Sequence, residues 1–223
     1  MNYLSHAHRY LDRPAFALGT LVPDFMNMVD RRARVRRRQA EQFLDFPDDF
    51  VAELAAGIVR HHHDDHRFHN APVFLGLQER LSQHLRTNCP DPRGLRSWFT
   101  AHIAIEMLLD WVIMDEQPKS LDRLYGLFTN VECQQFRQAV ESIAGCELPR
   151  FDPMHQFFIT ERFLDDYQTD PGLFYRINRI LSRVGLDPFE AEQIAWVPIA
   201  RQWVAAEAEM LLEPTNEPTL VNG

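Results

Sequence analysis

Hydrophobic residues recur at intervals of three and four along most of the chain, which is the spacing of amphipathic helices. The pattern predicts helices over 47–69, 72–85 and 95–114, and further helical segments over 119–144, 153–168, 171–184 and 188–212. Residues 1–12 are expected to form a first helix or an extended lead-in. Residues 14–29 are expected to form a compact apolar segment broken by Gly19 and Pro23. No strand-rich block is visible, so the pattern predicts an all-α fold.

Chain length and composition agree with one helical domain. A chain of 223 residues can bury a full core, and its 9 glycines are few for a protein with many strand turns. We therefore expect a single domain over 1–212 and a flexible tail over 213–223, which is polar and contains prolines. The segment CPDPRG at 89–94 predicts a loop.

The charge and the cysteines exclude several classes of protein. A net charge of -9 argues against a general nucleic-acid binder, whose surface is usually basic. Three scattered cysteines without a CxxC pair suggest reduced thiols in a cytoplasmic protein.

The first residues lack the apolar run of a signal peptide, and no apolar stretch approaches the ~20 residues of a membrane span.

The most informative stretch is LAAGIVRHHHDDHRFH, residues 54–69, which holds five of the ten histidines. On a helix, His61, Asp65 and His69 fan over roughly 80° of one face, and that face is apolar at its start. Imidazole and carboxylate groups together are typical ligands of first-row metals. These three residues are therefore candidate ligands, with a solvated histidine-rich helix end as the alternative. The remaining polar residues of the stretch are expected to be exposed or to support the ligands: His62, His63, Asp64 and His66.

The predicted helix over 95–114 is almost wholly apolar except for three ionisable residues. His102, Glu106 and Asp110 are spaced by four, so they lie on one side of the helix. Ionisable groups in line on a buried helix must satisfy one another or face a metal. We predict His102 and Glu106 as ligands and Asp110 as a residue that orients a ligand histidine.

Two N-terminal residues complete the candidate set. His6 lies among the apolar residues of 1–12, and Asp24 follows Pro23 in an apolar neighbourhood. A carboxylate in such surroundings needs a partner, so Asp24 is interpreted either as a ligand or as a helix N-cap.

Six arginines within 31–38 form the strongest local concentration of positive charge. Such runs are usually solvated. In an otherwise acidic protein, however, this one could attract a phosphate or an acidic partner, and the candidate partner-binding residues are Arg34, Arg36, Arg37 and Arg38.

The second half of the chain shows no further site. His155 is expected to be structural or exposed. Core positions rather than a cofactor site are predicted for Met154, Phe157, Phe158, Phe163 and Phe174.

The seven candidate ligands are too many for one tetrahedral ion: His6, Asp24, His61, Asp65, His69, His102 and Glu106. They suit two ions that share carboxylates, and the absence of cysteine favours manganese, zinc or iron. Two such ions activate a water and clamp the oxygens of a phosphate. The set predicts a metal-dependent phosphoester hydrolase, with Asp65 and Asp24 as the catalytic carboxylates.

The stretches MNYLSHAH, GTLVPDF and AGIVRHHHDDHRFH, followed by an apolar helix with paired acids, resemble the acyl carrier protein phosphodiesterase family. The resemblance covers about residues 1–115 and implies a helical, manganese-dependent, HD-type phosphohydrolase that releases phosphopantetheine from acyl carrier protein. By this match His6, Asp24, His61 and Asp65 correspond to family positions, and Glu106 and Asp110 fall on a pair of acids. The chain departs from the family at His69, where an acid is usual, and at His102, which has no counterpart.

A second resemblance includes His102. The pattern His-x-x-x-Asp, then His-x-x-x-Glu on a later helix, with Pro-Asp after a glycine, is similar to the zinc-dependent phospholipase C and single-strand nuclease fold. That resemblance implies His6, Asp24, His61, Asp65, His102 and Glu106 as ligands and another phosphoester as substrate. Proteins of this fold are usually secreted and use the N-terminal amine, which the sequence does not visibly prepare. The non-enzymatic alternative is a metal-stabilised helical protein, but a closed structural site needs only about four ligands.

Overall fold

The computed structural model describes residues 1–30, 32–89 and 95–213. Within these ranges the chain is helical, and no strand is present. The α-helices are α1 (Tyr3–Ala7), α2 (Pro14–Val29), α3 (Arg37–Ala40), α4 (Asp49–Asn70), α5 (Pro72–Asn88), α6 (Leu95–Glu116), α7 (Ser120–Asn130), α8 (Cys133–Ala144), α9 (Phe151–Glu161), α10 (Asp170–Arg183) and α11 (Trp196–Leu212). Short 3-10 helices cover Glu41–Phe43, Phe163–Gln168 and Ala191–Ala195. The predicted all-α fold is confirmed.

Helix α2 is continuous, so the predicted break at Gly19 and Pro23 is wrong. Pro23 cannot donate a hydrogen bond to the carbonyl of Gly19, which weakens the helix locally. The helix nevertheless buries Leu18, Leu21 and Phe25 completely or almost completely. The burial of this apolar face stabilises α2 through the weak point.

Helix α4 shows the face that its sequence predicts. It begins where the Asp48 carboxylate accepts hydrogen bonds from the backbone N–H groups of Phe50 and Val51, at 2.9 and 3.2 Å. Leu54 and Ile58 on its apolar face are fully buried. The polar residues that continue this face, from His61 onward, therefore point toward the interior of the protein.

Helices α2 and α4 approach each other closely at a pair of glycines. A Cβ atom built on Gly57 would lie 2.1 Å from the carbonyl oxygen of Phe16 and 2.8 Å from the Cα of Gly19. A Cβ on Gly19 would lie 2.1 Å from the carbonyl oxygen of Leu54. Only glycine permits this contact. The backbone of α2 is therefore held directly against the turn of α4 that precedes His61.

Two predicted segments of the second half of the chain are each interrupted. The segment 119–144 forms α7 and α8 as separate helices, because the Glu132 side chain accepts hydrogen bonds from the N–H groups of Gln134 and Gln135 and so starts a new helix. The segment 153–168 ends its α-helix at Arg162, which has a left-handed φ of 42°. The segments 171–184 and 188–212 are helical, the latter with a 3-10 turn ahead of α11.

An aromatic core cluster lies between α2, α7, α8 and α9. Its fully buried members include Phe25, Phe128, Phe136 and Phe158. His155 is also buried, and its ring lies 5.8 Å from that of Phe128. The core prediction for Phe158 is therefore confirmed, and His155 is structural.

The neighbouring residue Phe157 is 43% exposed, so the prediction that it belongs to the core is wrong. Phe157 and Phe158 are adjacent on one helix and point to different faces, so only one of them can face the core. Among the other predicted core residues Phe174 is buried, while Met154 and Phe163 are partly buried and pack against the core.

Helix α6 packs against α1, α5, α7, α10 and α11. Its residues Arg96–Glu116 are long and apolar enough to span a membrane by length and composition, although the sequence predicts no span. In the fold 67% of the most apolar window is buried against other helices, as in the core helix of a soluble protein. The three cysteines are free thiols.

Some predicted features lie outside the described residues. They are the loop from 90 to 94, Arg31 of the arginine run, and residues 214–223 of the tail.

Candidate metal centre

The helices bring six of the seven predicted ligands together in two groups. One group contains His6, His61 and Asp65, and the other contains His69, His102 and Glu106. Within each group, one ligand atom from every residue lies within 4.8 Å of the others. The residues come from α1, α4 and α6, so the centre forms only when these three helices pack.

The two groups are joined by His69, which lies between two carboxylates. Its Nδ1 is 3.3 Å from Oδ2 of Asp65, and its Nε2 is 2.8 Å from Oε1 of Glu106. Nε2 of His102 lies 3.3 Å from the same Oε1 of Glu106, and the His69 and His102 rings stack with centroids 4.7 Å apart. The groups therefore form one continuous polar centre.

His61 is held in an orientation that suits a ligand. Its Nδ1 lies 2.8 Å from the carbonyl oxygen of Thr20, which leaves Nε2 to face the centre. A backbone carbonyl is a usual partner for the distal nitrogen of a metal-binding histidine. Burial lowers the pKa of His61 to about 4, so the imidazole is neutral and able to bind a metal at physiological pH.

His6 provides the clearest evidence that a ligand is needed. The residue is 2% exposed, and neither ring nitrogen has a hydrogen-bond partner among the described residues. Its ring stacks on His61 with centroids 3.9 Å apart, and its Nε2 is 4.0 Å from Oδ1 of Asp65. Burial, reinforced by the charges of neighbouring groups, holds the pKa of His6 well below its usual value. A buried polar group without a partner is costly, and a metal ion bound at His6 would remove that cost.

The nitrogen of Met1 also lies in the centre. As an ammonium group it is 3.0 Å from Oδ1 of Asp65 and 3.0 Å from Oε1 of Glu106. It therefore places a cation between one carboxylate of each group. Nothing in the composition or spacing of the sequence identifies Met1. The only available pointer was the second resemblance, in which the N-terminal amine is a ligand.

The carboxylates of Asp65 and Glu106 are ionised, although Glu106 is largely and Asp65 partly removed from water. Burial raises the pKa of Asp65, but hydrogen bonds from His69 and the charge of the Met1 ammonium outweigh it and hold that pKa well below its usual range. Burial likewise opposes ionisation of Glu106, and the Met1 ammonium with hydrogen bonds from His102 and His69 holds its pKa low. Burial lowers the pKa of His69, but the hydrogen bonds to Asp65 and Glu106 prevail and raise it to about 9.

Asp24 lies close to the centre but outside both groups. It is inside α2, so the N-cap interpretation is wrong, because the helix begins ten residues earlier at Pro14. Its Oδ2 is shielded from water and has no hydrogen-bond partner among the described residues. Burial raises the pKa of Asp24 to about 8; the Met1 ammonium opposes this rise, and the charges of Glu106 and Asp65 add to it.

The prediction that Asp110 orients a ligand histidine is wrong. It is fully buried, and its two oxygens accept hydrogen bonds from the backbone N–H groups of Leu4 and Ser5, at 3.0 and 2.7 Å. Burial raises the pKa of Asp110 to about 7, although these hydrogen bonds lower it. Asp110 therefore fixes the start of α1, which carries His6.

The other polar residues of α4 point away from the two groups. His62 Nε2 lies 2.9 Å from the carbonyl oxygen of Val35, and His63 and His66 are partly or fully exposed. Asp64 is buried, so it does not occupy an exposed position. Its burial is compensated by a hydrogen bond of 2.7 Å that Arg60 donates to its carboxylate. His8 lies beside the carbonyl oxygens of α1, at 3.2 and 3.3 Å.

The arginine run is solvated where it is described. Arg34, Arg36, Arg37 and Arg38 are all exposed, and Arg37 forms an ion pair of 2.7 Å with Glu41. The contact between Val35 and His62 holds this segment beside α4.

Comparisons with protein-family models, with curated proteins and with solved structures find no match to this chain.

Proposed function

We propose that the protein is a cytoplasmic metal-dependent phosphoester hydrolase that binds two divalent ions, of manganese, zinc or iron. The observation that carries the proposal is the pair of adjacent ligand groups, His6–His61–Asp65 and His69–His102–Glu106. A structural site would need one closed set of about four ligands. Two adjacent ligand sets, which meet at the carboxylates of Asp65 and Glu106, fit a catalytic pair of ions better.

The residues present fit such ions. His61 and His6 offer neutral nitrogens, and the unpartnered His6 ring gains an interaction that the protein itself does not supply. Bound ions would supply a Lewis acid for the phosphoryl oxygens and a means of activating water at neutral pH. Asp65 lies against both groups, 4.0 Å from His6 and 3.3 Å from His69, and is the carboxylate best placed to serve both.

Asp24 is the group that we assign to proton transfer. Its carboxylate, whose Oδ2 is shielded from water, has a pKa raised to about 8 and carries a proton at neutral pH in the metal-free protein. A general acid works best when its pKa lies near the working pH. Asp24 can therefore give its proton to a departing oxygen, while the ionised Asp65 and Glu106 hold the positive charges of the centre.

Metal content and hydrolysis test the proposal together. The protein, purified without chelator and supplied with manganese or zinc, should bind about two ions per chain and cleave bis-p-nitrophenyl phosphate. Asp65→Ala should abolish cleavage. His63→Ala is the matched control, because His63 lies two residues away on the same helix but on another, exposed face, and it should leave cleavage nearly unchanged. Failure to bind metal under any of these conditions would refute the proposal.

For the physiological substrate we propose the phosphopantetheine arm of holo-acyl carrier protein. The exposure of Arg34, Arg36, Arg37 and Arg38 supports this proposal, because acyl carrier proteins are acidic and the chain itself carries a net charge of -9. Neutralising the four arginines should slow phosphopantetheine release at low salt and leave cleavage of the small diester unchanged. The difference between wild type and variant should shrink as salt rises. A wild type that never acts on holo-acyl carrier protein would leave only the general hydrolase proposal.

A specific observation favours the non-catalytic alternative enough to test it. His6 and His61 are 2% and 5% exposed, as in a closed structural site. If the metal is structural, it should raise the melting temperature of wild type while no phosphoester is cleaved. If the protein is an enzyme, Asp24→Asn should keep the metal and lose most of the cleavage rate.

A further inference from the structure

A cavity of about 530 Å³ lies at the C-terminal end of α2. Arginines from three separate parts of the chain line it: Arg32 after α2, Arg150 before α9, and Arg183 at the end of α10. Its volume falls within the range of about 300–1,000 Å³ that is usual for small-molecule sites. Arg32 belongs to the arginine run of 31–38, whereas nothing in the sequence indicates that Arg150 and Arg183 are part of a site.

The cavity is locally basic in an acidic protein. Asp30 is the one acidic residue among the described residues that line it, so three guanidinium groups face one carboxylate. Asp30 also accepts a hydrogen bond of 2.8 Å from the backbone N–H of Arg32. The lining carries three arginines and one aspartate, and guanidinium groups suit the oxygens of a phosphate dianion in particular.

The rest of the lining, apart from Asn27, is apolar. Met28 and Met154 are partly buried, and Phe157 exposes 43% of its surface, although its neighbour Phe158 belongs to the core. Small-molecule sites are lined mainly by apolar and aromatic side chains with a few polar groups that orient the ligand. The lining therefore combines a basic part with an apolar part.

The position of one of the arginines is restrained. Nη2 of Arg183 donates a hydrogen bond of 2.8 Å to the carbonyl oxygen of Asn27, which itself lines the cavity. Nη2 of Arg150 lies 3.9 Å from Sδ of Met154, which also lines it. The hydrogen bond of Arg183 reduces the entropy that this side chain loses when a ligand binds.

We propose that this cavity binds a phosphate monoester or phosphonate dianion attached to an apolar body. The phosphate oxygens accept hydrogen bonds from Arg32, Arg150 and Arg183, and the apolar body covers Phe157 and Met154. The site is distinct from the metal centre, because no residue that lines it belongs to either ligand group. The proposal does not depend on hydrolytic activity.

The test uses (naphthalen-2-yl)methylphosphonate, which has no ester bond for the protein to cleave, and its uncharged analogue naphthalene-2-methanol. The protein is labelled with ¹³C at the methionine methyl groups and titrated by NMR. The signals of Met28 and Met154, assigned with Met154→Leu, should shift saturably with the phosphonate and far less with the alcohol. Met210, which is 49% exposed on α11, should not shift.

Charge variants identify the arginines. Arg32→Gln and Arg150→Gln alter exposed side chains and should each weaken phosphonate binding by about tenfold, as expected for loss of a charged hydrogen bond. The matched control is Arg86→Gln, which removes the same charge from an exposed position on α5 and should change the affinity by less than about twofold.

Two results would overturn the proposal. One is a titration in which only the Met1 signal shifts, because the phosphonate then binds the metal centre and not the cavity. The other is an equal loss of affinity in Arg86→Gln and Arg150→Gln, because binding would then follow the overall charge. Loss of hydrolysis with normal Met154 shifts would contradict the proposed function and leave the cavity proposal intact.

Discussion

Replacing Gly57 with alanine should disrupt the metal centre from a position that contains no ligand. The new Cβ would lie 2.1 Å from the carbonyl oxygen of Phe16 and 2.9 Å from the backbone nitrogen of Thr20. Backbone atoms of a packed helix cannot rotate away as a flexible side chain can. Helix α2 must therefore move away from α4 by about 1 Å to restore ordinary contact distances of about 3.4 Å.

The movement has two consequences of known size. Overpacking of a tight contact costs about 1–3 kcal/mol, and a clash with backbone belongs at the upper end of that range. Since His61 Nδ1 lies 2.8 Å from the carbonyl oxygen of Thr20, a shift of about 1 Å also lengthens this hydrogen bond beyond useful range. We expect a net loss of about 2 kcal/mol in the free energy of unfolding, after the gain of about 1 kcal/mol that alanine has over glycine in a helix.

Gly76→Ala is the matched control. A Cβ at Gly76, on the exposed side of α5, would meet no atom within 4 Å. This variant should gain the helix propensity of alanine without the clash, so it should be more stable than wild type by up to about 1 kcal/mol. The difference between the two variants, about 3 kcal/mol, isolates the steric cost.

Urea unfolding of both variants in the absence of metal measures these free energies, and metal titration measures the ligand geometry. Gly57→Ala should bind the first ion at least about tenfold more weakly, because its ligand His61 is no longer oriented. Equal stability of the two variants would refute the close contact of α2 with α4. A destabilised Gly57→Ala with normal metal affinity would refute the role of Thr20.

Three further predictions concern protons and hydrogen bonds. Metal binding at pH 7 should release at least one proton, because His69, with a pKa of about 9, must lose its proton to become a ligand. Calorimetry in buffers of different ionisation enthalpy measures the number of protons released. The His69→Gln variant should release fewer protons than wild type. Without metal, the protein should lose up to about 3 kcal/mol of stability as the pH falls from 6.5 toward 4, because the folded state binds a proton on His61 less readily than the unfolded chain does; urea unfolding should show a smaller pH dependence in His61→Gln, and an unchanged dependence would contradict the assignment. Asp110→Asn should lower stability by about 2 kcal/mol and weaken metal binding, because an amide can accept from only one of the two N–H groups of Leu4 and Ser5; retention of wild-type metal affinity would show that α1 needs no such anchor.

The residues that could be predicted from sequence are those whose position follows from a helix period. His61, Asp65 and His69 share a face because they are four residues apart, and the apolar start of that face shows which side is buried. The same argument predicts His102 and Glu106, and the structure joins both helices at Glu106. The helix period and the residue types were sufficient to predict these five candidate ligands.

Other features depend on packing between segments that are distant in sequence. Met1 and Asp110 have roles only because α1 lies against α6, and no local pattern indicates that contact. Asp24 follows a proline, which is typical of a helix start, but the burial of α2 carries the helix through that position. Phe157 shows the limit of composition, since an aromatic residue beside a core residue faces outward on the same helix.

The two amide hydrogens held by Asp110 make the assembly of the metal centre observable without any ligand. Those of Leu4 and Ser5 can exchange with solvent deuterium only when α1 separates from α6, and that separation also removes His6 from its group. Their exchange rates therefore report the free energy of local opening at α1. An ion that requires His6 would slow both rates by the same factor, and that factor gives its dissociation constant in the native state.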